Sequence, residues 1–150
     1  KTMKTTIAID TERVLEHIYA FSALDFFTDK SPRPEILGRD NKEALLCLMR
    51  HCAAEQVYRL SPHVCGTNLC DETPNRLITV DFELPDEPSH YLSIRPLLEA
   101  ALAATVMSTA YSGSRAALSA TYGKLYERNM ASALTMLAAS ERPGFIRKAM

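Results

Sequence analysis

The chain has no tryptophan, five glycines and 7% aromatic residues. It has no run of about 18 or more apolar residues free of charge, as a membrane-spanning helix requires. Each shortage excludes something. Glycines scattered singly make neither GxxxxGK[ST] nor GxGxxG, so no phosphate-cradling loop is present. Serines are plentiful, but there is no GxSxG elbow and no local cysteine-nucleophile signature. Net charge is −1, so no global field draws the molecule to nucleic acid or anionic lipid. Lys1-Thr2-Met3-Lys4-Thr5-Thr6 is not backed by the apolar core of a secretory signal.

What is present reads as one globular domain over 1–150. The apolar fraction of 47% and charged fraction of 23% are ordinary for such a domain, and 150 residues bury a core without staples. The near-neutral total conceals a polarity. Residues 1–111 hold 11 Lys/Arg and 16 Asp/Glu, a net of −5, and residues 112–150 hold 6 and 2, a net of +4. Scattered solvated helix faces explain such a split most simply. A molecule with a negative and a positive end, suited to head-to-tail association, is the sharper reading.

Hydrophobic periodicity predicts a mainly α fold, a bundle of about four helices. The first covers 11–28, capped by Asp10, with Val14, Leu15, Ile18, Tyr19, Phe21 and Phe26 on its apolar stripe. Ser31-Pro32-Arg33-Pro34 breaks it. A capping box at Asp40–Glu43 opens a second helix over 41–60, with Leu45, Leu46, Leu48, Met49, Cys52, Ala53, Val57 and Tyr58 facing inward. Residues 61–91 form a β excursion. Ile78, Val80, Phe82 and Leu84 alternate with Thr79, Asp81 and Glu83, the period of a half-buried strand. That strand needs a partner, either Val64 to Cys70 as a short hairpin or a neighbouring subunit as a β-arm. Two further helices, 92–111 and 115–140, are joined by Ser112-Gly113-Ser114. So short a connection predicts an antiparallel C-terminal pair. Residues 141–150 follow as an apolar and basic tail containing Phe145, Ile146, Arg147 and Lys148.

The candidate chemistry is thin. Cys47, His51, Cys52, His63, Cys65 and Cys70 fall within 24 positions. Zinc ligands are normally paired across two to four residues on a tight turn. Cys47 and Cys52 stand about 140° apart around a helix and do not converge on one ion. Cys52, His63, Cys65 and Cys70 stay open as a zinc set, but without a CxxC knuckle. Core thiols at Cys47 and Cys52 and loop thiols at Cys65 and Cys70 are the expectation. His17 belongs at the edge of the first apolar stripe, a boundary histidine and not a base. No catalytic, cofactor-binding or metal-ligating residue is expected, and no cofactor.

The order of parts, helix, Pro/Gly loop, helix, β excursion, helical pair and basic tail, resembles small neck or head–tail connector proteins of tailed bacteriophages. Three phrases carry the likeness. They are Val14–Phe27, the strand Ile78-Thr79-Val80-Asp81-Phe82-Glu83-Leu84-Pro85, and the helix start Ile94-Arg95-Pro96-Leu97-Leu98-Glu99-Ala100-Ala101. The resemblance implies a non-enzymatic virion protein, assembled in the bacterial host cytoplasm. It would form a homo-oligomeric ring and contact portal or tail proteins, with DNA sliding passively through the channel and no membrane involved. Contacts are expected first at Phe145, Ile146, Arg147 and Lys148, and second at Ile78, Val80 and Phe82. The alternative is a small cytosolic helical adaptor or regulatory module that binds another protein and forms no ring.

Overall fold

The computed structural model describes residues 2–28, 37–69, 76–85 and 93–141. Among them the order is β1 (Thr2–Asp10), α1 (Thr11–Thr28), a 3-10 turn (Arg39–Asn41), α2 (Lys42–Arg59), β2 (Val64–Thr67), β3 (Leu77–Pro85), α3 (Ile94–Tyr111) and α4 (Ala116–Glu141). The described residues are mainly helical, with four α-helices and one three-stranded antiparallel sheet ordered β1-β3-β2. Among the described residues no helix is long and apolar enough to cross a membrane.

The strand foreseen at 77–84 is the centre of the sheet, and a strand of the same chain pairs with each of its edges. β2 pairs one edge. The other is taken by β1, a segment that the sequence reading assigned to no element, in a continuous register from Thr2 opposite Pro85 to Asp10 opposite Leu77. β2 covers only Val80 to Phe82 of its edge, whereas β1 runs the whole length of the other. The pleat sends alternate side chains to opposite faces. Ile7, Ile9, Ile78, Val80, Phe82 and Leu84 turn inward and are buried. On the outer face Asp81 accepts a hydrogen bond from the Thr6 hydroxyl at 2.6 Å and pairs with the Lys4 ammonium at 3.4 Å. A register shift between Val64 and Gly66 bulges β2 over this carboxylate. A Cβ on Gly66 would stand 2.8 Å from Asp81 Oδ2, so a larger residue there would make the carboxylate shift.

Asp10 ends β1 and starts α1 in one residue. Its Oδ1 accepts from the Glu12 amide at 3.0 Å, the N-cap bond expected from sequence. The start of α2 differs from expectation. The Asp40–Glu43 box does not form. Instead Asn41 Oδ1 accepts from the Gly38 amide at 3.0 Å, and a 3-10 turn leads into the helix. The buried stripe of α2 is Leu45, Met49, Cys52, Ala53 and Gln56, continued by Leu60. Tyr58 falls out of phase with that stripe and is 79% exposed, and Cys47 is likewise exposed; both had been expected inside. Phe26 on α1 is also exposed.

Helix α3 lies at the centre and packs on α1, α2, α4 and β1. Its buried residues, Leu98, Ala101, Leu102, Ala103, Ala104, Val106 and Met107 among them, point in several directions around the axis, as a helix covered on most sides must. It meets α4 through small residues. Ser108 Oγ donates to the Ser119 carbonyl at 2.8 Å, and Ser119 Oγ donates back to the Ser108 carbonyl at 2.7 Å. A Cβ on the nearby Gly123 would sit 3.4 Å from Ser108 Oγ, which shows how closely the helices approach. On its inner side α4 buries Tyr122, Tyr126, Met130, Ala133 and Leu137.

Candidate functional site

Three places collect polar or open surface, and each is built by the junctions just described. The first is a buried charged hub. Glu99 on α3 is 7% exposed, yet it carries a carboxylate into the core. It accepts from the Asp10 amide at 3.1 Å and from Arg13 Nη1 at 3.2 and 3.3 Å, which ties α3 to the β1–α1 junction. Asp10 in turn holds Arg76, at the start of β3, at 3.4 Å, and the Thr11 hydroxyl donates to the Arg76 carbonyl at 2.7 Å. Burial alone would raise the Asp10 carboxyl. Arg76 and the amides of Glu12 and Arg13 outweigh it and hold the group below its ordinary value. All of these bonds are internal, so the hub fixes the fold.

The second place is a cavity of about 640 Å³ beside that hub, where Glu12, Lys42, Glu43, Arg50 and Arg76 meet Leu46, Met49, Leu69 and Ile78. Its cations are occupied. Lys42 pairs with Glu12 at 3.1 Å, Arg76 with Asp10, and Arg50 donates to the Leu69 carbonyl at 3.2 Å. An anion entering here would have to compete with the carboxylates on Lys42 and Arg76 and the carbonyl on Arg50.

The third is an apolar groove of about 280 Å³ among α1, α3 and α4. Ala103, Ala104, Met107 and Tyr122 are buried and form its floor, while His17, Phe21, Ala100, Leu125 and Asn129 are half-buried and form its rim. The alanines leave the space open, because their side chains end where a larger residue would fill it. His17 stacks on Phe21 with ring centroids 4.6 Å apart, and burial pushes its imidazole below the ordinary value against the pull of Glu99. The Tyr122 hydroxyl donates to Asp25 Oδ2 at 2.7 Å. Burial, with that carboxylate beside it, pushes the phenol far up, so it stays protonated.

The residues singled out from sequence fall as follows. Ile78, Val80 and Phe82 lie in the chain's own core at 6%, 1% and 0% exposure, so their side chains are not surface for a partner. Phe145, Ile146, Arg147 and Lys148 lie outside the described residues, as does Cys70. Cys52 is buried, and desolvation raises its thiol against hydrogen bonds involving Thr109 and Thr105. Cys65, expected in a loop, is an exposed residue of β2. Among the described residues no three His, Cys, Asp or Glu side chains are grouped to hold a metal. His17 stands at the edge of its stripe, as expected.

Sequence reasoning missed Glu99, Gln56 and the groove. Gln56 is 1% exposed and donates to the Leu98 carbonyl at 3.1 Å and toward Met130 Sδ at 3.5 Å. The available signal was phase. Gln56 stands four residues after Cys52 and four before Leu60, on the buried line of its helix. No family model, no curated protein and no solved structure matches the chain.

Proposed function

We propose that this chain is a non-enzymatic structural protein of a tailed-bacteriophage virion, forming a ring at the head–tail junction and docking on portal or tail proteins. The observation that carries the reading is the charge polarity joined to the fold. The net +4 of residues 112–150 comes from Arg115 before α4 and from Arg142, Arg147 and Lys148 after it, since Lys124 and Arg128 within the helix are balanced by Glu127 and Glu141, whereas the net −5 belongs to everything before them. A molecule whose two charge signs occupy different stretches of its sequence favours heterologous, head-to-tail contacts, and such contacts repeated by rotation close into rings. In this reading α3 and α4 run antiparallel about the 112–115 connection. With the side chains of Ile78, Val80 and Phe82 buried in the chain's own core, this reading assigns the intersubunit contact to the tail at Phe145, Ile146, Arg147 and Lys148. Passage of DNA through the ring calls for no strongly basic lining, since a sticky channel would retain it.

The test is deletion of residues 142–150. The truncation leaves α4 (Ala116–Glu141) whole, and the expected result is a chain that unfolds at the temperature of the full chain and is lost from particles. Normal incorporation of the truncated chain would refute the tail as the contact.

A further inference from the structure

We infer that β1 is a docking edge and that its occupant is β1 of a second copy, paired antiparallel about Thr6 so that the two sheets become one. This pairing goes beyond the ring reading and stands apart from it, since it uses neither the tail nor α4. The phase of the ladder shows which backbone groups are open. The Thr11 amide donates to the Arg76 carbonyl at 2.9 Å, continuing the strand register, so odd residues of β1 turn their amides and carbonyls toward β3. The far side of β3 agrees, because the Thr79 carbonyl faces β2 and accepts from the Asn68 amide. Even residues of β1 therefore turn their backbone groups away from the sheet. At Asp10 the outward amide is held by Glu99 at 3.1 Å. At Lys4, Thr6 and Ala8 no hydrogen bond reaches these backbone groups among the described residues.

The two outer strands of the sheet differ in how they guard against such pairing. Edge strands are normally kept short, bulged, or marked with proline and charge. β2 follows that rule, with 4 residues and a register shift between Val64 and Gly66. β1 has 9 residues in unbroken register, no proline and a single charged residue, Lys4, before Asp10 ends it. Thr5, Thr6, Ile7 and Ile9 are the β-branched residues that strands favour. An open row of amides and carbonyls on such a strand is a template for another strand.

The open stretch is also complementary to itself, which selects the second copy as occupant. A two-fold axis at Thr6 sets Thr6 opposite Thr6 of the second copy and Lys4 opposite its Ala8, and in this register all three open residues meet one another. The strand carries its cation, Lys4, toward one end and its acid, Asp10, at the other. Antiparallel pairing brings Lys4 diagonal to Asp10 of the second copy, within reach of a long side chain, and sets no like charges opposite. Parallel pairing in register would set the two lysines side by side. The bond from the Asp10 amide to Glu99 ends the ladder at Ala8. So short a ladder buries less than the ~1,200–2,000 Å² of a standard interface, and the pairing depends on concentration.

The experiment follows amide hydrogen exchange by NMR, with sedimentation velocity beside it, on the full chain over a range of concentrations. At low concentration the amides of Thr5, Ile7 and Ile9 are protected and those of Lys4, Thr6 and Ala8 exchange fast. The expected result is that these last three slow together as a dimer forms. Ala8→Glu faces Lys4 of the second copy and tightens the dimer several-fold at low salt, whereas Ala8→Lys weakens it several-fold. Thr6→Pro removes an outward amide and none that bonds β3, so it abolishes the dimer and keeps the fold. If the proline variant fails to fold, the opposite shifts of the two Ala8 variants decide. A monomer at every concentration, a dimer whose three amides still exchange fast, or Ala8 variants that shift dimerisation the same way would overturn the inference. So would protection of the three amides in the monomer, since another part of the chain would then cover the edge.

Discussion

Replacing Glu99 tests how far the buried hub holds the fold, and the cost can be worked from its partners. Glu99→Ala leaves the Asp10 amide without its acceptor, and an orphaned, partly buried donor costs about 1–3 kcal/mol. Arg13 is 55% exposed, so its guanidinium returns to water, and the lost ion pair adds about 1 kcal/mol or less. The vanished methylene adds about 0.8 kcal/mol, and relief from burying a carboxylate offsets part of the sum. The net expectation is about 2–4 kcal/mol. Glu99→Gln keeps a carbonyl oxygen for the amide and loses only charge, so about 1 kcal/mol is expected. Glu99→Met keeps the packing, loses the acceptor, and falls between the two. Urea unfolding midpoints at constant m measure all three. If Glu99→Ala lies within about 0.5 kcal/mol of the parent, the bonds to Asp10 and Arg13 contribute nothing and the hub is incidental.

Three further outcomes follow from packing and titration. Phe82→Ala, at a site with no exposure, should cost about 3–5 kcal/mol by urea unfolding, and exposed Glu83→Ala less than about 0.5. Equal small effects would mean that β3 is not packed. Asp10→Ala removes both the cap and the Arg76 pair and should cost about 1–2 kcal/mol near neutral pH. Because the folded carboxyl titrates below its ordinary value, that difference holds above the unfolded value near 3.8 and fades as pH falls through the folded one; a pH series of midpoints shows it. His17 is likewise depressed, from 6.5, so its contribution is intact above that pH and is lost as pH falls through its lower folded value. His17→Gln should flatten the stability–pH slope just below 6.5, and an unchanged slope would refute the burial of the neutral ring.

Much of the helical frame was legible. Pro32, Pro34, Ser61-Pro62 and Ser112-Gly113-Ser114 punctuate the periodic runs, and Asp10 caps as a short acceptor side chain should. What failed was long-range or polar. β1 pairs with a strand that begins 67 residues after it ends, and its Lys and Thr residues dilute the alternation of Ile7 and Ile9. Thr5-Thr6-Ile7 is nevertheless β-branched, and β3 demanded a partner; together these were the overlooked signal. Gln56 and Glu99 were passed over because composition reads a polar residue as outside, and only the positions of the Leu98 carbonyl and the Asp10 amide explain their burial. Tyr58 is the converse. It is apolar enough to be expected inside, but two residues past Gln56 it faces away. The groove could not be read at all, because it is an empty volume left where the alanines of α3 face α1 and α4.

The central claim is that the chain becomes part of a particle, so the decisive measurement is its copy number in tailed particles purified from cells that carry its gene. Quantitative mass spectrometry against the portal and major tail proteins gives that number. The account predicts a fixed, small copy number matching one closed ring per particle, lost together with residues 142–150. Absence of the chain from particles that are otherwise complete, or a copy number that varies from one preparation to the next, would contradict it.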